Sequence, residues 1–261
     1  MTALLAILLA APAQSEHAAR AAAMVSYVSA DYGAAVGPSG ELLTPAEFEE
    51  QKTFLREVAD ELRTAGAPEL ARLADRLHQR VSARARPPEV IAAARELETR
   101  IEQRFRLSVL PPRAPSLARG RALYAQACAA CHGVGGTPTG RLQLSTVPPD
   151  FAAKDGIARI APRRAFAAVT FGVPGTAMPA FGDTVSEPDR WDVAWYLVSL
   201  AHGDPAERAR GEALLARFPR RPDYLQLATR SDDQLRMVLS GMPLSAADRE
   251  AILSAIRASA P

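Results

Sequence analysis

The sequence predicts an all-α protein: an N-terminal four-helix bundle, a second compact helical unit and a short helical C-terminal segment. Three observations predict it. Apolar residues recur at three- and four-residue spacing along most of the chain. Ala is abundant and aromatic residues make only 6% of the total, a balance that suits helices over sheets. Pro and Gly punctuate the periodic runs, and no run alternates as a strand would.

Residues 1–13 read as a signal peptide. Ala3 to Ala11 is almost purely apolar, and Ala11-Pro12-Ala13 resembles a small-residue cleavage site. The run is too short to span a bilayer, and its n-region carries no Lys or Arg. The plainer alternative is the first turn of a core helix. No later stretch reaches the roughly 18 apolar residues of a transmembrane helix. Export implies a periplasmic location, with the mature chain soluble or tethered by an uncleaved anchor.

Residues 14–112 carry four helical patterns. The first spans about His17 to Asp31 and ends near Gly33. The second opens at Thr44-Pro45, with Glu47 placed for a capping box and an apolar face of Phe48, Leu55, Val58 and Leu62. The third opens at Pro68, repeats Leu70, Leu73, Leu77 and Val81, and is expected to break at Pro87-Pro88. Val90, Ala94, Leu97, Ile101 and Phe105 form the fourth stripe, stopped at Pro111-Pro112. Four helices with short connections predict an antiparallel bundle. The Pro-rich stretch from Leu110 to Pro115 marks the boundary. Residues 113–203 then form the second unit, opening at the N-cap Ser116 and loop-like between Gly133 and Gly156. Residues 204–261 form an extension with helical patterns at Ala206 to Phe218, Ser231 to Leu239 and Ser245 to Ala258.

Composition excludes several functions. The 261 residues include 31 basic and 29 acidic side chains, a net charge of +2 that argues against nucleic acid as a partner. Lys occurs only at Lys52 and Lys154. Two Cys exclude a disulfide-dense scaffold. No glycine-rich phosphate loop is present.

The chemistry is concentrated at Cys128-Ala-Ala-Cys131-His132. This is C-x-x-C-H, the attachment signature of c-type haem. Two intervening residues let both sulfurs reach the two vinyl groups of one porphyrin, and the next residue offers an imidazole to the iron. A zinc ribbon would need a second C-x-x-C pair. A thioredoxin-like pair would need a neighbouring βαβ pattern. One motif implies one covalent haem c.

A low-spin haem needs a sixth ligand, and a thioether raises the reduction potential relative to a second His. Met178 lies in Gly172-Val-Pro-Gly-Thr-Ala-Met178-Pro179-Ala-Phe181, a loop context that can carry a side chain across a haem face. It is the expected distal ligand. Met242, in Gly241-Met-Pro243, is the alternative. Its surroundings match those of Met178 in order: an apolar helix, Met-Pro, then an acidic, Arg-containing helix. That fits an internal repeat without its own C-x-x-C-H, although a turn residue between two helices is the plainer reading. Met24 and Met237 read as core. His78 reads as exposed or hydrogen-bonded and His202 as a C-terminal cap. His17 sits too near the mature N-terminus to judge.

Gly120-Arg-Ala-Leu-Tyr124-Ala-Gln-Ala-Cys128-Ala-Ala-Cys131-His132-Gly133 resembles the first helix of a class I cytochrome c. The resemblance implies that fold for residues 113–203. It implies that Gly120 and Tyr124 pack against a later helix, Glu187 to Leu200, carrying Trp191, Trp195 and Tyr196. It also implies that a proline carbonyl, of Pro148 or Pro149, orients the His132 imidazole. Cys128, Cys131, His132 and Met178 are then the cofactor-binding residues, with His132 and Met178 as iron ligands. With both axial positions filled, no open site remains, and the unit is not expected to be an enzyme. A two-haem peroxidase would need a second C-x-x-C-H.

A second resemblance extends over more of the chain. Tyr27-Val-Ser-Ala-Asp31-Tyr32, Glu41-Leu-Leu and Glu47-Phe-Glu-Glu50-Gln-Lys-Thr-Phe54 look like the helical region of bacterial proteins fused to an oxidase-coupled iron permease. Leu227-Ala-Thr-Arg-Ser extends the likeness. It implies ferrous iron as an electron donor, a membrane iron permease as a partner beside a redox protein, and hard oxygen ligands at Asp31, Tyr32, Glu47 and Glu50. Capping by Glu47 and a solvated face at Glu50 are the plainer readings. The competing function is electron delivery for a periplasmic dehydrogenase or a membrane oxidase.

Overall fold

The computed structural model describes residues 2–107, 110–139, 144, 147–173, 175–218 and 223–259, with side chains from residue 13 onward. Among these there is no β-strand, only an isolated bridge between Val36 and Leu42. The chain divides into two compact units, Met1–Ser108 and Val109–Pro261.

The first unit holds α1 (Thr2–Ala35), α2 (Pro45–Thr64), α3 (Pro68–Ser82) and α4 (Pro87–Phe105). Consecutive helices pack together and α1 closes the ring against α4, giving the four-helix bundle. Its core is aliphatic: Leu55, Val58, Leu62, Ala74, Val81, Val90, Ala94 and Ile101 are buried. Each buried Val, Leu or Ile stabilises the bundle by roughly 1.5–3 kcal/mol.

The helix ends differ from expectation in instructive ways. α1 is longer than His17 to Asp31 because Ala-rich sequence lies on both sides, and Gly33 sits inside the helix. The signal-peptide reading covers residues 1–13; the side chains of residues 1–12 lie outside the described residues, and the backbone is helical from Thr2. Thr44 does not cap α2: its hydroxyl donates instead to the Ala34 carbonyl. The capping box with Glu47 is therefore absent. Pro87-Pro88 does not stop α3, which has already ended at Ser82, with Arg84 at φ 53°. Pro87 opens α4 instead, where its missing N–H costs no helix bond. α4 ends at Phe105 with Arg106 left-handed at φ 50°, before Pro111 is reached.

The second unit holds α5 (Leu117–Ala127), α6 (Ala129–His132), α7 (Lys154–Ile157), α8 (Pro162–Phe171) and α9 (Glu187–Ser199), then a 3-10 turn at Leu200–His202. α10 (Pro205–Leu215), α11 (Tyr224–Thr229), α12 (Asp232–Ser240) and α13 (Ala246–Ala258) complete it. α9 is the hub. α5 and α8 both pack on it, and α13 packs on it as well. The extension is thus part of the second unit: Trp191 and Trp195 of α9 share one core with Leu215, Leu227, Leu239 and Ile252. α11 had no counterpart among the expected helices, since six residues are too few to show a period.

Candidate functional site

The local sequence positions the C-x-x-C-H turn from α5. Ser116 caps α5 by accepting from the Arg119 N–H. Its own N–H donates to the Asp192 carboxylate of α9 at 2.7 Å. The same carboxylate, fully buried, accepts two bonds from the Arg113 guanidinium at 2.9 and 2.6 Å. One turn along, Arg119 pairs with Asp189. Gly120 lies where α5 crosses α9, and a Cβ there would collide with the Asp192 backbone carbonyl and crowd Tyr196. The expected close crossing of Gly120 and Tyr124 on the later helix is what the structure shows, with Tyr124 edge-on to Tyr196 at 5.5 Å.

Cys128 ends α5 and begins α6. Its carbonyl accepts from the N–H groups of Cys131 and His132 at 3.2 and 3.0 Å. This single turn places the two cysteines three residues apart on one face. Both are free thiols. Burial pushes the Cys128 thiol up to about 11, with Cys131 adding to the shift, so it stays protonated at neutral pH. The buried Tyr124 hydroxyl donates to the Gly133 carbonyl at 2.9 Å and reaches the His132 carbonyl at 3.3 Å. Gly133 follows at φ 78°, where a side chain would be strained and would also strike the Thr137 carbonyl.

Burial lowers the His132 pKa, which favours the neutral imidazole that a metal requires. The ring stacks on Phe151, with centroids 4.9 Å apart and planes 21° apart. Its Nδ1 is buried with no hydrogen-bond partner among the described residues. Neither Pro148 nor Pro149 supplies the expected carbonyl contact. Asp150 instead accepts from Thr137 and from the Ala152 N–H, a turn that brings the Phe151 ring to the imidazole. Two thiols one turn apart and a neutral imidazole with an unpartnered nitrogen are a donor set that fits covalent haem c.

Met178 is half-buried on the loop after α8. The loop is held by its own backbone: Val173 N–H donates to the Met178 carbonyl, and the Thr176 hydroxyl accepts from Met178 N–H and donates to Val173. Phe181 and Gly182 bond back to Val169 and Thr170 of α8. His132 and Met178 therefore follow the two helices, α5 and α8, that rest on α9. Pro174 lies outside the described residues.

The other single-residue expectations fare unevenly. Met24 is core. Met237 is not: it is 67% exposed, because Leu235 and Leu239 define the buried face of α12 and Met237 falls between them. Met242 packs partly buried beside the second unit's core. His17 bonds to Glu61. His78 Nε2 is buried without a hydrogen-bond partner among the described residues, and its pKa is lowered by burial and by Arg56 and Lys52. The His202 side chain does not act as a C-terminal cap. It is fully buried, with Nε2 on Asp232 at 2.8 Å and Nδ1 on the Ser254 hydroxyl at 3.0 Å. Arg257, also fully buried, bonds the other Asp232 oxygen. Sequence reading missed this triad because its members are 30 and 25 residues apart.

The four proposed iron ligands of the bundle do not assemble. Tyr32 is core, its hydroxyl donating to the Ala85 carbonyl at 2.8 Å. The Glu50 carboxyl is raised by burial and by the neighbouring Glu47 and Asp31. Among the described residues no group of three or more His, Cys, Asp or Glu side chains is disposed to hold a metal ion.

A family model described as cytochrome C oxidase, cbb3-type, subunit III matches residues 115–197. No curated protein and no solved structure matches the chain. The matched stretch begins just before α5 and ends within α9, so it includes the C-x-x-C-H turn and the Met178 loop.

Proposed function

We propose that the chain is an exported, single-haem electron carrier and not an enzyme; the match of residues 115–197 to a cytochrome oxidase subunit family supports a cytochrome c domain with covalent haem c. When bound, the haem supplies one-electron exchange between ferric and ferrous iron. Cys128 and Cys131 would hold it by thioether bonds, formed when each S–H adds across a vinyl group. His132 would be the proximal ligand and Met178 the distal one. Tyr124 fixes the turn that presents His132, and the Phe151 ring fixes the imidazole plane. The observation that carries the reading is the single C-x-x-C-H turn beside a neutral, half-buried His132. The apolar run of residues 3–11 supports export to the periplasm.

Met178→Ala tests the ligand set. The account expects a lower reduction potential and a shift toward high spin, read by redox titration and visible absorption. An unchanged potential and spectrum would remove Met178 from the iron.

The match to a cbb3-type cytochrome oxidase subunit family favours an oxidase as the electron acceptor. The resemblance to iron-permease fusions favours ferrous iron as the donor and a separate permease as partner. Stopped-flow mixing of the oxidised holoprotein with ferrous iron tests the donor. Rapid appearance of reduced haem bands supports iron uptake. Reduction by dithionite alone supports a general carrier.

A further inference from the structure

The helices after Asp204 repeat the frame before it, piece by piece. Ala118-Arg-Gly120-Arg-Ala-Leu-Tyr124-Ala on α5 and Ala209-Arg-Gly211-Glu-Ala-Leu-Leu215-Ala on α10 agree at six of eight positions. The geometry agrees as well. A Cβ on Gly120 would strike the carbonyl of Asp192 and then the Cβ of Tyr196; one on Gly211 would strike the carbonyl of Ala251 and then the Cβ of Ala255. Each pair of obstacles lies four residues apart on the partner helix.

The partner helices match too. Ser186 caps α9 and Ser245 caps α13, each accepting from an Asp N–H three residues on. Those aspartates pair with matching arginines: Arg119 with Asp189, Arg210 with Asp248. The next residues, Arg190 and Arg249, both donate to the carbonyl five residues back, Val185 and Leu244. Asp150 and Asp223 each accept from the N–H two residues on and precede an aromatic residue, Phe151 and Tyr224. Met178-Pro179 and Met242-Pro243 hold the same order before the last helix.

What differs is the haem-bearing loops. The connection 128–153, which carries the two cysteines and His132, is replaced by 216–223. The connection 172–186, which carries Met178, is replaced by 241–245. We infer that α10–α13 is a second cytochrome c frame, stripped of both haem loops and kept as a built-in partner that covers the α9 face of the first. The seam supports this role. Trp195 of α9 lies 5.7 Å from Tyr224, Asp233 N–H donates to the Ala158 carbonyl, and His202 joins Asp232 and Ser254. The inference rests on the helix crossings and stands whether or not Met178 binds iron.

The test compares Gly120→Val and Gly211→Val in the full, haem-loaded chain, by haem per chain and by amide hydrogen exchange. Gly211→Val is expected to lower protection of α10 and α13 at least tenfold, with one haem per chain retained and α5 still protected. Gly120→Val is expected to lower protection of α5 and α9 and to cut haem content. Unchanged exchange in Gly211→Val would show that α10 and α13 do not cross closely. Loss of haem in Gly211→Val equal to that in Gly120→Val would show one frame, not two. Either result overturns the inference. Should Gly211→Val fail to accumulate, Arg210→Gln replaces it. Weakened protection confined to α10 and α13 supports the second frame, and unaltered protection there contradicts it.

Discussion

Tyr124 shows how one hydroxyl sets the presentation of a ligand. Its ring is core, and its O–H closes on the carbonyls that follow His132. Tyr124→Phe keeps the packing and leaves the Gly133 carbonyl short of a donor, a loss of about 1–2 kcal/mol by thermal unfolding. The ring's role was readable in sequence, from its place four residues before Cys128. The hydroxyl's role was not, because it depends on the left-handed turn at Gly133. Asp232 makes the complementary point. Burial alone would raise its carboxyl, but His202 and Arg257 hold it below the usual range. Asp232→Asn should destabilise the second unit by about 3–5 kcal/mol, since it leaves the Arg257 charge buried without a counterion. A change below about 1 kcal/mol in chemical denaturation would contradict that, since exposed pairs are worth no more. Nothing local in the sequence marks Asp232 as buried, because its partners arrive from distant helices.

At the scale of elements, proline carried more information than its usual reading as a breaker. α2, α3, α4, α8, α9 and α10 all have Pro in the first turn. The expected starts at Pro45 and Pro68 match the structure, whereas Pro87, which the sequence suggests as a stop, opens α4. The backbone had already turned at Arg84, and a Pro at the first helical position loses no bond. Pro87→Ala should therefore change bundle stability by no more than about 0.5–1 kcal/mol, whereas a helix-interior Pro costs about 3. Denaturant midpoints of the two proteins check this directly. The close crossing of α5 on α9 was legible because Gly120 sits amid a recognisable pattern. The Met-Pro segments at Met178 and Met242 hint at a repeat in the sequence, but the matching crossing at Gly211 emerges only in the fold, since short α11 and the shortened loops obscure the alignment of α10 with α5.

Across the whole molecule, the two units carry opposite electrostatic liabilities. In the second unit Asp232, Glu207 and Glu250 titrate below their ordinary values: burial would raise Asp232 and Glu207, but His202 and Lys154 outweigh it, and Arg236 lowers Glu250. A depressed carboxyl stabilises the fold above its unfolded pKa, about 4, and that contribution is lost as pH falls through the folded value. In the bundle Glu50 is raised by burial, so protonation relieves it and stability grows as pH falls through its folded value. Acidification below about pH 4 should weaken the second unit more than the first. Calorimetry should show the transition of the haem-bearing unit moving to lower temperature ahead of the other. A common shift of both transitions would contradict that distribution of charge.

The central claim is that Cys128, Cys131 and His132 hold one covalent haem. The most direct measurement is the pyridine haemochrome spectrum of the protein produced in cells that mature c-type haem, referred to its protein concentration. The account predicts the spectrum of a haem bound through two thioethers, one per chain, altered by Cys128→Ala and by Cys131→Ala. A protein recovered from such cells with its cysteines free and no covalent haem would contradict it.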